Sequence, residues 1–163
     1  MKLARTGVIA AAVLSIATMA FAQAKPDFSG TWTPDQAAAP AGGGGGGGRG
    51  MGAGPMTIKQ DATTLTITRT MGENQVVQTY KLDGTESVNK MSMGRGENAR
   101  EIEAKSTAKW DGSKLVITTQ RPGQDGAMMS QSQTYSLEGG NLVIESPNPR
   151  DGTMTKRVFK KTT

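Results

Sequence analysis

The stretch Trp110-Asp111-Gly112-Ser113-Lys114-Leu115-Val116-Ile117-Thr118-Thr119 decides the fold. Asp-Gly belongs to tight hairpin turns, where glycine accepts the positive φ the turn demands, and the residues after it alternate apolar and polar with the two-residue period of a half-buried strand. Two sister phrases repeat it, Gln60-Asp61-Ala62-Thr63-Thr64-Leu65-Thr66-Ile67-Thr68 before and Glu138-Gly139-Gly140-Asn141-Leu142-Val143-Ile144-Glu145 after. Three hairpins in one chain predict an antiparallel meander.

Residues flanking a two-residue turn sit opposite each other and point to the same face, so register can be tested from sequence. Across Asp111-Gly112 the rule pairs Trp110 with Ser113. It places Ile102, Ala104, Ser106, Ala108 and Trp110 on one face with Leu115 and Ile117. Across Gly139-Gly140 it pairs Leu137 with Leu142 and joins Tyr135 and Ile144 to them. In the first hairpin Ile58 falls opposite Leu65; Ala62 suits positive φ poorly, so a longer turn is expected there. Strands are expected near 28–32, 56–60, 63–70, 75–82, 86–92, 100–110, 113–121, 127–138, 141–146 and 153–161, with further turns at Asp83-Gly84 and Asp151-Gly152. No helical period runs through this region. An all-β chain with one apolar face per strand and no helix to cover it must bury those faces against each other. The short sequential turns favour an antiparallel up-and-down meander of about 8–10 strands closing into a barrel over a sandwich.

The first 24 residues stand apart. Lys2 and Arg5 form a positive start, Val8 to Phe21 is apolar but shorter than the roughly 20 residues that span a bilayer, and Ala20-Phe21-Ala22 and Ala22-Gln23-Ala24 offer cleavage sites. Residues 1–24 therefore read as a signal peptide of bacterial type, cut before Lys25, and 25–163 as one domain. The expected location is the periplasm or the medium. The chain has no cysteine, so neither a lipid anchor on cysteine nor a disulfide is expected. The formal charge of +5 is spread along the chain rather than gathered into a patch, which speaks for solubility and against a nucleic-acid partner. Residues 37–55 are almost wholly Ala, Pro and Gly, with seven glycines at 42–48. Such a segment has nothing to bury and much entropy to lose, so a flexible Gly-rich loop within the domain is expected. Gly48-Arg49-Gly50 lacks the Gly-Lys-Ser/Thr ending of a phosphate loop.

Histidine is absent, which removes the commonest general base and metal ligand and both familiar nucleophilic triads. Glu101 and Glu103 share a strand face at a spacing that suits paired carboxylates. Their parity, however, is opposite to Ile102 and Ala104, so a solvated face is the better reading. No catalytic residue and no cofactor is expected, and the chain reads as non-enzymatic. Methionine is plentiful, and Met91 and Met93 point the same way on one strand. Thioether sulfur suits Cu(I), although filling gaps in an aromatic-poor core is the plainer role.

Gly30-Thr31-Trp32 at the start of a meander resembles the lipocalin family and its calycin relatives, where a Gly-x-Trp sits on the first strand of an up-and-down barrel. The resemblance implies that Trp32 closes one end of the barrel, that a basic residue of the last strand, Arg157, packs over it as a cation–π partner, and that 37–55 is the large loop after strand one. The disulfide and the helix of that family are missing here. The phrase Pro26-Asp27-Phe28-Ser29-Gly30-Thr31-Trp32 also resembles the start of small secreted bacterial proteins of unassigned function. Trp32, Tyr80, Trp110 and Tyr135 are the large inward residues, and they either line a ligand cavity or form the core. The leading expectation is an exported, non-catalytic barrel that binds a small, partly apolar molecule. The alternative is a filled barrel acting as an interaction module of the cell envelope.

Overall fold

The computed structural model describes residues 25–38, 54–71, 74–93, 100–123, 125–148 and 152–162. The signal-peptide assignment, and all of the Gly-rich loop between 39 and 53, lie outside the described residues. Ten strands form one antiparallel sheet: β1 Gly30–Pro34, β2 Met56–Gln60, β3 Thr64–Met71, β4 Asn74–Lys81, β5 Ser87–Met93, β6 Arg100–Asp111, β7 Lys114–Pro122, β8 Met128–Glu138, β9 Asn141–Pro147 and β10 Met154–Thr162. Their order is β4-β3-β2-β1-β10-β9-β8-β7-β6-β5, a meander in which every sequential pair is joined except β4–β5, while the first strand pairs with the last. A three-residue 3-10 turn, Gln36–Ala38, follows β1.

The alternation read from sequence is the alternation of burial. Along β6, Ile102, Ala104, Ser106 and Ala108 are buried and their neighbours are not. The turn geometry differs in two hairpins. Trp110 pairs with Leu115 and Asp111 with Lys114, so the two-residue loop is Gly112-Ser113 rather than Asp111-Gly112. Gly112 takes a φ of 59° as the first loop residue, the position at which a glycine-first hairpin turn needs it. In the first hairpin Gln60 pairs with Leu65 and Ile58 with Ile67, and the amide of Asp61 closes a four-residue loop on the Thr64 carbonyl. Both shifts move the pairing by two residues, and a shift of two preserves faces. The Leu137–Leu142 pairing stands as expected.

The unladdered β4–β5 edge is sewn by side chains. The Asn89 amide bonds both backbone polar groups of Thr79: Oδ1 accepts from the Thr79 N–H at 2.8 Å, and Nδ2 donates to the Thr79 carbonyl at 3.1 Å. Two residues away the Ser87 hydroxyl accepts from the Lys81 N–H at 2.9 Å. Asn89 thus stands in for a peptide group of a neighbouring strand. These bonds bring the sheet to a nearly closed barrel, with a seam where the backbone ladder is missing.

Antiparallel alternation sorts the connections to two ends. The tight turns at 61–63, 82–86, 112–113 and 139–140 gather at one end, with the segment 25–29 that enters β1. That end is plugged. Phe28, fully buried, stacks on Trp110 with ring centres 5.8 Å apart and meets Tyr135 edge-on at 6.4 Å. Sequence parity placed Phe28 on the first strand. The strand instead begins at Gly30, which frees Phe28 to turn across the barrel base. Gln60 holds the turned segment: its Oε1 accepts from the Phe28 N–H, its Nε2 donates to the Pro26 carbonyl, and its own N–H donates to Ser29 Oγ.

Candidate binding site

The interior changes character along the barrel axis. Near the plug it is a continuous apolar cluster containing Phe28, Trp32, Leu65, Tyr80, Leu115 and Tyr135, with Trp110 and Leu137 packed against it. Beyond it, toward the opposite end of the barrel, the inward positions turn polar. Gln78, Asn89, Ser106 and Ser146 are buried there, beside a second small cluster of Met91, Ile102 and Ala104. Arg69, Arg121 and Arg157 sit on the same faces as buried neighbours: Arg69 with Ile67, Arg121 with Ile117, and Arg157 with Phe159. None of the three makes an ion pair with a carboxylate among the described residues. The acidic side chains of the strands point outward instead, Glu101 to Lys90 at 2.9 Å and Glu145 to Lys114 at 3.8 Å. This half of the interior therefore carries positive charge without described anionic partners.

The four aromatics singled out in sequence come together, and they do so as the walls of the plug. Trp32 is 1% exposed and donates its indole N–H to the Phe28 carbonyl at 2.9 Å. The cation over its ring is Lys161, 5.6 Å from the centroid, and not Arg157. Register is the reason: Trp32 pairs with Lys161 across β1 and β10, whereas Arg157 lies four residues along and pairs with Ile144. Gly30 belongs to the same arrangement. A Cβ there would stand 2.5 Å from Lys161 Cε, and the backbone holds a φ of 144°. The glycine of Gly-x-Trp is thus the space through which the lysine stem crosses. Trp110 is capped by Lys25 at 5.5 Å, and its indole N–H is buried without a partner.

Tyr80 and Tyr135 link the two halves. The Tyr135 hydroxyl donates to Gln133 Oε1 at 3.1 Å. Burial pushes the Tyr80 phenol well above the usual tyrosine range, and the neighbouring Tyr135 adds to this, while the positive charge of Arg69 opposes it. Sequence reasoning passed over Arg69, although Leu65-Thr66-Ile67-Thr68-Arg69 carries its inward parity in plain view. At the far end Arg121, Met129, Ser130, Gln131 and Pro147 line a cleft of about 110 Å³. Met91 is buried with Ile102 and Ala104, and the side chain of Met93 lies outside the described residues. Among the described residues no group of three or more acidic, histidine or cysteine side chains could hold a metal, and no helix is long and apolar enough to cross a membrane.

No protein-family model matches the chain, and no curated protein matches it in sequence. Solved structures do match in shape. A variant of the fluorescent protein UnaG superposes with a TM-score of 0.55 at 20% identity, covering 83% of this chain and 96% of that one. The zebrafish ileal bile acid-binding protein complexed with cholic acid follows at 0.51 and 18%, covering 83% and 98%. The REP1-NXSQ fatty acid transporter matches at 0.50 and 15%, covering 83% and 96%. At such identities the likeness is one of fold. Meander order, first-to-last closure and these superpositions agree that the chain folds as a lipocalin-like, calycin-type β-barrel.

Proposed function

We propose that this chain is an exported, non-catalytic binding protein that takes a small, partly apolar molecule into the half of its barrel away from the Phe28 plug. The observation that carries the reading is the division of the interior. One half is a packed apolar core, and the other combines methionine and isoleucine surfaces with polar and cationic groups that face inward and lack ionic partners. Arg69, Arg121 and Arg157 are half-buried, and a partly desolvated guanidinium without an ionic partner favours a polar or anionic group beside it. The structural neighbours named for a bile acid and for fatty acids support the same class of ligand. Native mass spectrometry of the protein purified from the bacterium that exports it tests the reading. A co-purifying small molecule displaced by organic extraction is the expected result, and a ligand-free protein that also ignores added amphiphiles would refute it. N-terminal sequencing of the same sample is expected to start at Lys25.

One observation favours the alternative, an interaction module of the envelope. Met128 and Met154 are 64% and 62% exposed. Exposed thioether surface of this kind suits an adaptable apolar contact. Capture of the same partner by wild type, and its loss in a Met128 and Met154 to Ser double variant with an unaltered ligand affinity, would move the assignment to that reading.

A further inference from the structure

Met129 lines the cleft at the far end of the barrel together with Arg121, Ser130, Gln131 and Pro147. The register of β7 and β8 sets Met129 directly opposite Arg121, so their Cβ atoms stand about 5 Å apart and both long side chains reach one space. The sulfur has a defined seat. A Cβ on Gly123 would come within 3.2 Å of Met129 Sδ, so the bare glycine is the surface on which the thioether rests. The backbone groups of Gly123 are already engaged. Its N–H donates to the Ala127 carbonyl at 2.7 Å, and its carbonyl accepts from the Gly126 N–H and from Arg100 Nη2, each at 3.2 Å. Asp125 Oδ1, close to the same glycine, accepts from the Ala127 N–H at 3.1 Å. Arg121 is half-buried and makes no ion pair with a carboxylate among the described residues. The cleft thus sets a thioether that solvent reaches, 44% exposed, beside a guanidinium without a described ionic partner.

We propose that Met129 is a reversible oxidation site: hydrogen peroxide in the cleft transfers one oxygen to the Met129 thioether, and Arg121 assists the transfer and then holds the sulfoxide oxygen. A sulfur lone pair attacks the nearer peroxide oxygen, the O–O bond breaks and the S–O bond forms. Sulfur loses two electrons and the peroxide gains them. The departing hydroxide takes the proton of the transferred oxygen and leaves as water. Negative charge grows on the departing oxygen, and a donor aimed at that charge lowers the barrier. A cleft of about 110 Å³ has room for several water-sized molecules and so admits the peroxide. The thioether is only a weak acceptor for the guanidinium, whereas the sulfoxide is polar and gives Arg121 an oxygen to bond. The reaction is stoichiometric modification and not turnover, and methionine sulfoxide reductases restore the thioether. It goes beyond the binding reading and needs no ligand in the barrel.

Exposure alone orders the methionines differently, with Met128 and Met154, at 64% and 62%, ahead of Met129. The test treats the full folded chain with hydrogen peroxide and follows each methionine by peptide mass spectrometry. Met129 is expected to oxidise at least about three-fold faster than Met128, because a charge-assisted hydrogen bond to the departing oxygen outweighs the smaller exposure. R121Q is expected to return the order that exposure sets, and R121K, which keeps the charge without the planar fork, to retain part of the advantage. In 15N-labelled wild type the Arg121 Nε–H resonance is expected to shift as Met129 oxidises and to return after reduction of the sulfoxide, a readout independent of how any Arg121 variant folds. The same treatment of M129L is expected to leave that resonance in place. Oxidation of Met129 no faster than that of Met128, or an Arg121 resonance that stays still while Met129 oxidises, overturns the proposal.

Discussion

Replacing Asn89 tests whether side chains close this barrel. Asn89 is 6% exposed, and its amide supplies one acceptor and one donor to Thr79. Asn89→Ala removes both and leaves the Thr79 N–H and carbonyl facing a gap between β4 and β5. A buried amide group without a partner costs about 1–3 kcal/mol. Thr79 lies on an exposed strand position, where water recovers part of that, so the lower end applies to each bond and the total is about 2 kcal/mol. Ser87→Ala loses one bond, to the Lys81 N–H, and is expected to cost about half as much. Urea denaturation measures both, and hydrogen exchange at the Thr79 amide should lose protection by the same free energy as the Asn89→Ala variant. Asn89→Asp is the sharper probe. Its carboxylate still accepts from the Thr79 N–H but meets the Thr79 carbonyl with a charge instead of a donor. Only the protonated carboxyl restores both bonds. The folded pKa of the new group is therefore raised, so its contribution is fully present below the unfolded value of about 4 and is lost as pH rises through the folded value. The variant should approach wild-type stability in acid and fall below it at neutrality. A cost under about 0.5 kcal/mol for Asn89→Ala, together with a pH slope for Asn89→Asp no different from wild type, would refute the seam as a closing element.

Three further outcomes follow from the same geometry. Phe28→Ala empties the plug between Trp110 and Tyr135 and is expected to cost about 3–5 kcal/mol, with a red shift of tryptophan emission; a loss below about 1 kcal/mol would show that the entry segment is dispensable. Gly30→Ala is expected to destabilise by about 1–3 kcal/mol, because the new Cβ strains the backbone and strikes Lys161 Cε, and adding Lys161→Ala should relieve the clash but not the strain. Asp61 accepts from the Thr64 hydroxyl and from the Thr63 amide and hydroxyl, which holds its carboxyl far below the usual range. A lowered folded pKa contributes stability above the unfolded value of about 4 and loses it as pH falls toward the folded one, so Asp61→Asn should flatten the acid limb of a stability–pH profile below pH 4, and an unchanged limb would reject this account.

Much of the fold was legible because strand periodicity is a local property. Ile102, Ala104, Ser106 and Ala108 alternate with charged residues, and no tertiary information is needed to see which side they bury. The two hairpins whose pairing differed from expectation kept their faces, since turn chemistry displaced the register by two and parity survives an even shift. The site was less legible. The aromatics drew attention because they are large and few, yet size marks what fills a core as readily as what lines a cavity, and here Phe28 packs among them. Arg69 was inward by parity all along. What made it informative was the company it keeps: a thioether, one amide oxygen and an unpartnered Nε.

Sequence alone therefore determined the strands, their inward faces and the meander that joins them, because each rests on alternation and turn preference within a few neighbouring residues. Only the tertiary structure decided how the ends meet. That β1 closes on β10 sets Lys161 rather than Arg157 over Trp32, and that β4 and β5 lack a ladder gives Asn89 its role. Phe28 crosses the base because Gln60, distant in sequence, holds the turned segment in place. Contacts between residues far apart in the chain depend on curvature and closure of the whole sheet, which no local pattern encodes.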